Sequence, residues 1–358
     1  MRNFFRFSRL AVFVAVLLLA VSPRPAAAWS GSTHRALTIR AFLALAAKAG
    51  GDQNLREWGY ATGFPSAMPD LWRLSDREAE APRHWFEADR FPDCTPPDGF
   101  GEIADEAEAL ASVGMARDEL GCAPWAVVEL MGRMEGHMRA GEWEDAGRVA
   151  AAMAHYVEDL HQPLHCSRNF DGGLTGQNGI HARYEMRLAD RCLDHRNLRA
   201  NRHRIAPIGD PLAALVSWGV ESSQIAQEIF EHDREATAYA GGDPEDDAYY
   251  EKMWELEGER MVKRLDRCIE RLASLYLTAW ERAGRPEIGP APKELDTDSV
   301  WSGVAADPAE EAARQAARRK ERAGRGLGIA AGGVLVVLGI ALALGSLASR
   351  RQKDGRAP

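Results

Sequence analysis

Apolar residues along this chain recur at helical spacing far more often than they alternate, and the long amphipathic segments predict an almost wholly helical protein. The pattern predicts helices over Ala36 to Ala49, stopped by Gly50 and Gly51, over Glu102 to Leu120, stopped by Gly121, and over Trp125 to Arg139. A further helix is expected from Trp143 to Leu160, ended by Pro163, whose ring removes a donor and clashes with the preceding turn. A loop rich in Gly and Asn, Asn169 to Gly179, leads to a helix opened by His181. Pro211 to His232 and Asp246 to Arg282 supply two more long helices, and no internal repeat stands out.

Both ends depart from this amphipathic pattern. Arg2, Arg6 and Arg9 precede the apolar run Leu10 to Val21, and small residues ending at Ala26-Ala27-Ala28 complete the form of a cleaved secretory signal over residues 1–28. A cut after Ala28 would make Trp29 the mature N-terminus. Near the other end, Leu327 to Ala348 is an uncharged run of 22 residues, long enough to span a bilayer, flanked by Arg322, Arg325, Arg350 and Arg351. The expected organisation is therefore a signal over 1–28, a helical catalytic domain over 29–284, a linker and basic juxtamembrane segment over 285–326, a transmembrane helix over 327–348 and a short basic cytoplasmic tail over 349–358. On this reading the protein is exported and anchored in the cell membrane, with its catalytic domain on the extracytoplasmic side.

Charge narrows the partners. The chain carries a formal −9; loss of the four arginines of the signal takes it to −13, and setting aside the tail, with four basic and one acidic residue, leaves −16 outside. Such a domain has no general attraction for polyanions, so a phosphate substrate must be held by metals or a few local arginines. The cysteines are Cys94, Cys122, Cys166, Cys192 and Cys268; their pairing is not legible, and Cys166 beside His165 reads as a packing or disulfide residue because no second cysteine stands at ligand spacing.

The chemistry concentrates in His155-x₃-Asp159-x₅-His165-x₁₅-His181-x₃-Glu185. A separation of four puts two side chains one turn apart on one helix face, so His155 with Asp159 and His181 with Glu185 can each close on an ion. Imidazole and carboxylate without thiolate favour zinc in a catalytic site with an open position. Upstream, Asp70 in the loop-like Pro65 to Asp70, His84, and His34 five residues after the expected N-terminus add further donors.

With these residues in view, the chain resembles a superfamily: the zinc-dependent phospholipases C of bacteria and the single-strand-specific zinc nucleases of fungi and plants. The resemblance covers most of the exported domain. His155-Tyr156-Val157-Glu158-Asp159-Leu160-His161-Gln162-Pro163-Leu164-His165 is similar to the central motif of both branches. Gly179-Ile180-His181-Ala182-Arg183-Tyr184-Glu185 looks more like the phospholipase branch, whereas Trp29-x₄-His34 and Pro69-Asp70-Leu71-Trp72-Arg73 lean toward the nucleases.

The resemblance implies an all-α, multi-helix domain with a trinuclear zinc site. It implies that His84, His155 and Asp159 hold one zinc, that Trp29 (through its α-amino nitrogen and carbonyl oxygen), His34 and Asp159 hold a second, and that His165, His181 and Glu185 hold the third. Asp159 becomes a bridge, and Asp70 either a further ligand of the first zinc or the base beside the attacking water. The implied reaction is in-line attack on phosphorus by a hydroxide bridging two zincs, which in such sites stand about 3.5–4 Å apart. The third zinc, with Arg73 or Arg168, would stabilise the charge that develops.

Three functions fit this picture. The first is phospholipase C-like hydrolysis of a lipid headgroup phosphodiester, favoured by the His181 to Glu185 motif and the anchor. The second is a nuclease acting on single-stranded nucleic acid, favoured by the Trp29 to His34 spacing, with Trp72, Trp85 and Phe86 available for base stacking. The third is a non-catalytic exported metal-binding protein. The positions that take choline in the phospholipase branch fall at Ser32, Leu71 and Ala81, where that branch has an acidic residue and two aromatics, so a choline pocket is not implied.

Overall fold

A computed structural model of the protein describes residues 29–75, 77–91 and 114–295. Every regular element among them is helical, as the periodicity predicts.

The first helix, α1 (Gly31–Lys48), starts earlier than its apolar run suggests, so His34 lies in its first turn. Asp52 then accepts from the Leu55 N–H and caps α2 (Gln53–Gly63), a helix the apolar pattern does not mark because Trp58 and Leu55 stand among polar residues. The two helices pack so closely that a Cβ on Gly63 would lie 2.6 Å from the Ile39 side chain; only glycine permits that approach. This contact delivers the chain directly into a 3₁₀ turn, Pro65–Ala67, and α3 (Pro69–Ser75), which places Asp70 in a helical first turn rather than a loop.

Helices α4 (Ala123–Ala140) and α5 (Trp143–Leu160) form a hairpin whose turn is made by Gly141 at φ 77°. Of the expected Glu102 to Leu120 helix, residues 102–113 lie outside the described residues, and Arg117–Leu120 is a helical turn. In α5 every residue from Val149 to Leu160 is buried. A helix apolar on one face only would not need this; here Ala150, Ala151, Ala152 and Ala154 let α1, α4 and the last long helix close around it on all sides. Consequently His155, Glu158 and Asp159 sit in the middle of the domain, where polar groups are tolerated only when paired or bound to metal.

After α5, Pro163–Cys166 forms a 3₁₀ turn. Helical Ile180–Ala182 then passes into a π-helical stretch, Arg183–Leu188, and back to helical Ala189–Cys192. Two long helices close the domain: α6 (Pro211–Tyr239), capped by Asp210, and α7 (Asp247–Arg282), capped by Asp246. Among the described residues Cys122, Cys166, Cys192 and Cys268 form no disulfide.

Among the described residues no helix is long and apolar enough to cross a membrane. The longest, α7, buries one stripe and leaves Glu251, Glu255, Glu259 and Lys263 to solvent. The expected fold class is corrected to an all-helical domain with no membrane-spanning helix among the described residues. The anchored function, the membrane as a partner and the extracytoplasmic location therefore have no support in the described fold. Residues 1–28 and 327–348, to which the signal and the anchor are assigned, lie outside the described residues.

Candidate metal centre

Most of the expected donors converge at the core end of α5, supplied by six separate segments. From α5, His155 and Asp159 project one turn apart, 3.4 Å between Nε2 and Oδ2. From the turn before Trp85, His84 brings Nδ1 to 2.9 Å from Asp159 Oδ2 and 3.1 Å from His155 Nε2. Asp70 Oδ1 approaches the same place, 3.8 Å from His155 Nε2 and 4.0 Å from His84 Nδ1. Asp70, His84 and His155 thus form one group of possible ligand atoms, all within 4.8 Å of one another. Asp70 is its most exposed member, with 18% of its side chain accessible, so this group opens toward solvent.

The other oxygen of Asp159 faces α1. Its Oδ1 lies 3.7 Å from His34 Nε2, and His34, His155 and Asp159 form a second group. The indole of Trp29 is buried beneath it, donating from Nε1 to the Glu158 carbonyl at 3.2 Å and leaning on Tyr184. A third group comprises His165, His181 and Glu185, where Glu185 Oε2 stands 3.3 Å from His165 Nε2 and 3.0 Å from His181 Nε2. The His181 to Glu185 pair straddles the start of the π-helical stretch, an irregularity that recurs at functional sites.

Each of three imidazoles is fixed through the nitrogen that faces away from its group. His155 Nδ1 donates to the Ser66 carbonyl at 2.8 Å, His165 Nδ1 to the His84 carbonyl at 2.6 Å, and His181 Nδ1 to the Phe170 carbonyl at 3.1 Å. That turns Nε2 of each toward the group, the nitrogen whose lone pair a metal requires, which His181 offers once the proton it shares with Glu185 has left. For His84 the roles are reversed: Nε2 lies 3.3 Å from Glu80 Oε1, whose carboxylate also accepts from the Tyr156 hydroxyl. Glu185 is held by Gln162, 2.7 Å from Nε2 to Oε2.

His34 is oriented by a residue that stands outside the helix-spaced pairs. Glu158 Oε2 lies 2.6 Å from His34 Nδ1, and its Oε1 accepts from Thr38 at 2.8 Å. Glu158 precedes Asp159, so one step around α5 turns it from the bridge position toward α1. Its complete burial is seen only in the fold, and no local pattern in the sequence marks it. Replacing Glu158 by Gln is expected to weaken metal binding about 10- to 100-fold, because the amide can present N–H to Nδ1 and favour the wrong tautomer. Competition against a chromophoric chelator measures this, and unchanged affinity would show that His34 needs no such support.

Electrostatics separate the groups. Burial drives His34 down to about 3 and lowers His84 and His155 well below the ordinary histidine value, while it raises Asp159 and Glu158 well above the carboxylate range. Burial thus favours the neutral forms of His34, His84, His155, Glu158 and Asp159. In the third group burial pushes Glu185 up, but His181 and His165 overrule it and hold it at about 2. Burial likewise pushes His181 down, and Glu185 overrules it, so these two form an ion pair.

The donor set fits a metal. His34 Nε2, Asp159 Oδ1 and Glu185 Oε1 are buried with no hydrogen-bond partner among the described residues, and each belongs to a group of imidazole and carboxylate donors. The described residues therefore carry clusters placed to bind metal ions, as a metal-dependent enzyme requires.

Other expectations are adjusted. Phe86 is fully buried against Phe91 and Trp125, and Trp72 is 5% exposed, so neither offers a face for base stacking. Arg73 pairs with Asp70 at the open side, whereas Arg168 is exposed and offers its backbone N–H to Asp89. Cys166 is buried beside Leu160 with its thiol pushed up to about 12, which leaves it a packing residue. His161 stays outside all three groups, donating to Val157 and facing Arg271. A further grouping, His137, Glu142 and Asp145, lies at the exposed α4–α5 turn, where His137 bonds Glu142 and Asp145 bonds Arg148. Comparison with family models and with curated proteins finds no match to this chain.

Proposed function

We propose that this protein is a zinc-dependent hydrolase of phosphodiesters. The observation that carries the reading is the division of Asp159 between two donor groups: Oδ2 toward His84 and His155, Oδ1 toward His34. A carboxylate so shared would hold two dications close together, and His165, His181 and Glu185 would hold another. Mixed imidazole and carboxylate donors suit zinc. The reading calls for three ions, and in a chain cleaved before Trp29 the amine and carbonyl of that residue would add to the His34 group.

When bound, zinc supplies Lewis acidity and lowers the pKa of water toward neutrality. The protein's part is positioning. Asp70, the accessible carboxylate, either completes the first donor set or takes the proton from the attacking water. Arg73, paired with Asp70 and 12% exposed, lies where it can meet a phosphate oxygen.

The substrate class is read from the rim. Phe64, Leu71 and Phe170 are exposed apolar residues, and each neighbours a part of the centre: the Ser66 turn, Asp70, and the carbonyl that holds His181. They favour a phosphodiester with an apolar portion, as in a phospholipid. The nuclease reading is kept by the Trp29 to His34 spacing and by Phe170, whose half-exposed ring stands 6.0 Å from that of His181. The test is a side-by-side assay of the purified protein on bis(p-nitrophenyl) phosphate, mixed phospholipid vesicles, and single-stranded DNA and RNA, with metal analysis of the same sample. Close to three zinc ions and zinc-dependent hydrolysis are expected; a folded sample with one zinc or none, or with no hydrolysis of any of these, would overturn the proposal.

A further inference from the structure

Toward the Trp143 end of α5, residues of α1, α2, α4, α5 and α7 line a partly open cavity of about 240 Å³. Its wall includes Phe42, Trp58, Met138, Trp143, Tyr276 and Trp280, and Asp52 is the one charged residue among those described there. Along α5, Ala150 is the wall residue nearest in sequence to the metal centre, five residues before His155 and about 7.5 Å away at the helical rise, and no residue of the wall belongs to the donor groups. The two sites are therefore distinct.

The polar atoms of the wall are already engaged. Asp52 Oδ1 caps α2, the Tyr276 hydroxyl donates to the Ala150 carbonyl at 3.0 Å, and the indole N–H groups of Trp58 and Trp280 donate to the Gly289 and Pro286 carbonyls, each at 2.9 Å. Water needs two to four polar partners to occupy a buried space, and this wall offers few. Protein interiors are otherwise close-packed, so an apolar void of this size invites an apolar guest.

The cavity also has a cover. Gly284 (φ 94°) and Arg285 (φ 58°) turn the chain back at the end of α7, and Arg285 is the one non-glycine residue with positive φ among those described. The following segment lies across the opening and lends Ile288 to the wall. Its carbonyls are gripped by Trp280, Asn54 and Trp58, the Asn54 bond to Ile288 being 2.8 Å. At Gly289 a Cβ would stand 2.4 Å from the Trp143 ring, so the strap passes at glycine distance. The indoles of Trp58 and Trp280 thus both line the cavity and fasten its cover, and the expected linker begins as a part of the domain.

We propose that this cavity is a binding site for a single alkyl chain with an uncharged head, and that the strap over residues 285–290 closes on it. Asp52 in the wall disfavours an anionic head. The test is titration of the full chain with decan-1-ol and, separately, decanoate, followed by tryptophan emission, since Trp58, Trp143 and Trp280 all line the site. Saturable binding of one decanol per chain is expected, with decanoate at least about tenfold weaker. Ala146→Leu, which fills the cavity, and Met138→Trp, which narrows it from a partly exposed position, are each expected to weaken decanol binding at least tenfold while zinc content is unchanged. Failure of decanol to saturate overturns the proposal. So does equal binding of decanoate, or full decanol affinity in whichever of the two variants folds.

Discussion

Replacing Asp159 by Asn is expected to remove two zinc ions at once, leaving about one per chain, and to lower phosphodiester hydrolysis by at least about a thousandfold. The geometry makes this a sharper test than loss of any other donor. Asp159 gives one oxygen to the His84 and His155 side and the other to the His34 side, whereas Glu185 serves only His165 and His181. An amide retains the shape but not the charge, and its N–H₂ end cannot coordinate. With the shared carboxylate gone, two dications would repel each other across low-dielectric surroundings with nothing between them. Glu185→Gln is the comparison: it is expected to cost one ion and leave the other two. Metal analysis after gel filtration, with circular dichroism to confirm folding, separates these outcomes. If Asp159→Asn loses one zinc only, or stays fully active, the bridge assignment fails.

The site is more legible in the sequence than the fold around it, for a physical reason. Side chains four apart on a helix share a face, so spacing alone brings His155 and Asp159 together, and the two stand 3.4 Å apart. The long helices are equally readable because their apolar periodicity is sustained, as in Pro211–Tyr239 and Asp247–Arg282. What the pattern misses is short and dictated by tertiary contact. Helices α2 and α3 go unmarked, because their burial follows from close approach at Gly63 rather than from an apolar stripe. Glu158 and Glu80 are invisible because nothing local distinguishes a carboxylate that steers a histidine from one that faces water. Trp72 and Phe86 are expected near substrate and instead serve packing, since aromatic residues beside a buried centre are needed to exclude solvent from it.

Stripping the metals is expected to lower the melting temperature at neutral pH by at least about 20 °C, with recovery on adding zinc. An ion that binds only the folded state, present at a thousand times its dissociation constant, contributes about 4 kcal/mol. For a domain of this size each kcal/mol shifts the melting temperature by about 2–4 °C, so three ions give a shift well above that of a typical core substitution. The gap should depend on pH in a definite direction. In the metal-free domain burial holds His34 at about 3 against an ordinary 6.5, so its contribution is intact above 6.5 and is lost as pH falls toward 3, because protons then favour the unfolded chain. Glu185, held at about 2 against 4.5, loses its contribution in the same direction between those values. Asp159 and Glu158 act oppositely: burial raises them, so their contribution is present below the ordinary carboxylate range and is lost as pH rises through the raised values. At neutral pH the metal-free centre is therefore burdened by its raised carboxyls, and a bound cation would relieve it by taking the place of the proton on Asp159 and of that on His181. In acid those protons compete with the metal. The difference in melting temperature between the zinc-loaded and chelated protein should be largest near pH 8 and shrink toward pH 5, which calorimetry across that range measures. A chelated protein that melts with the untreated one at every pH would mean that the orphaned nitrogens and oxygens of the core are satisfied without a cation.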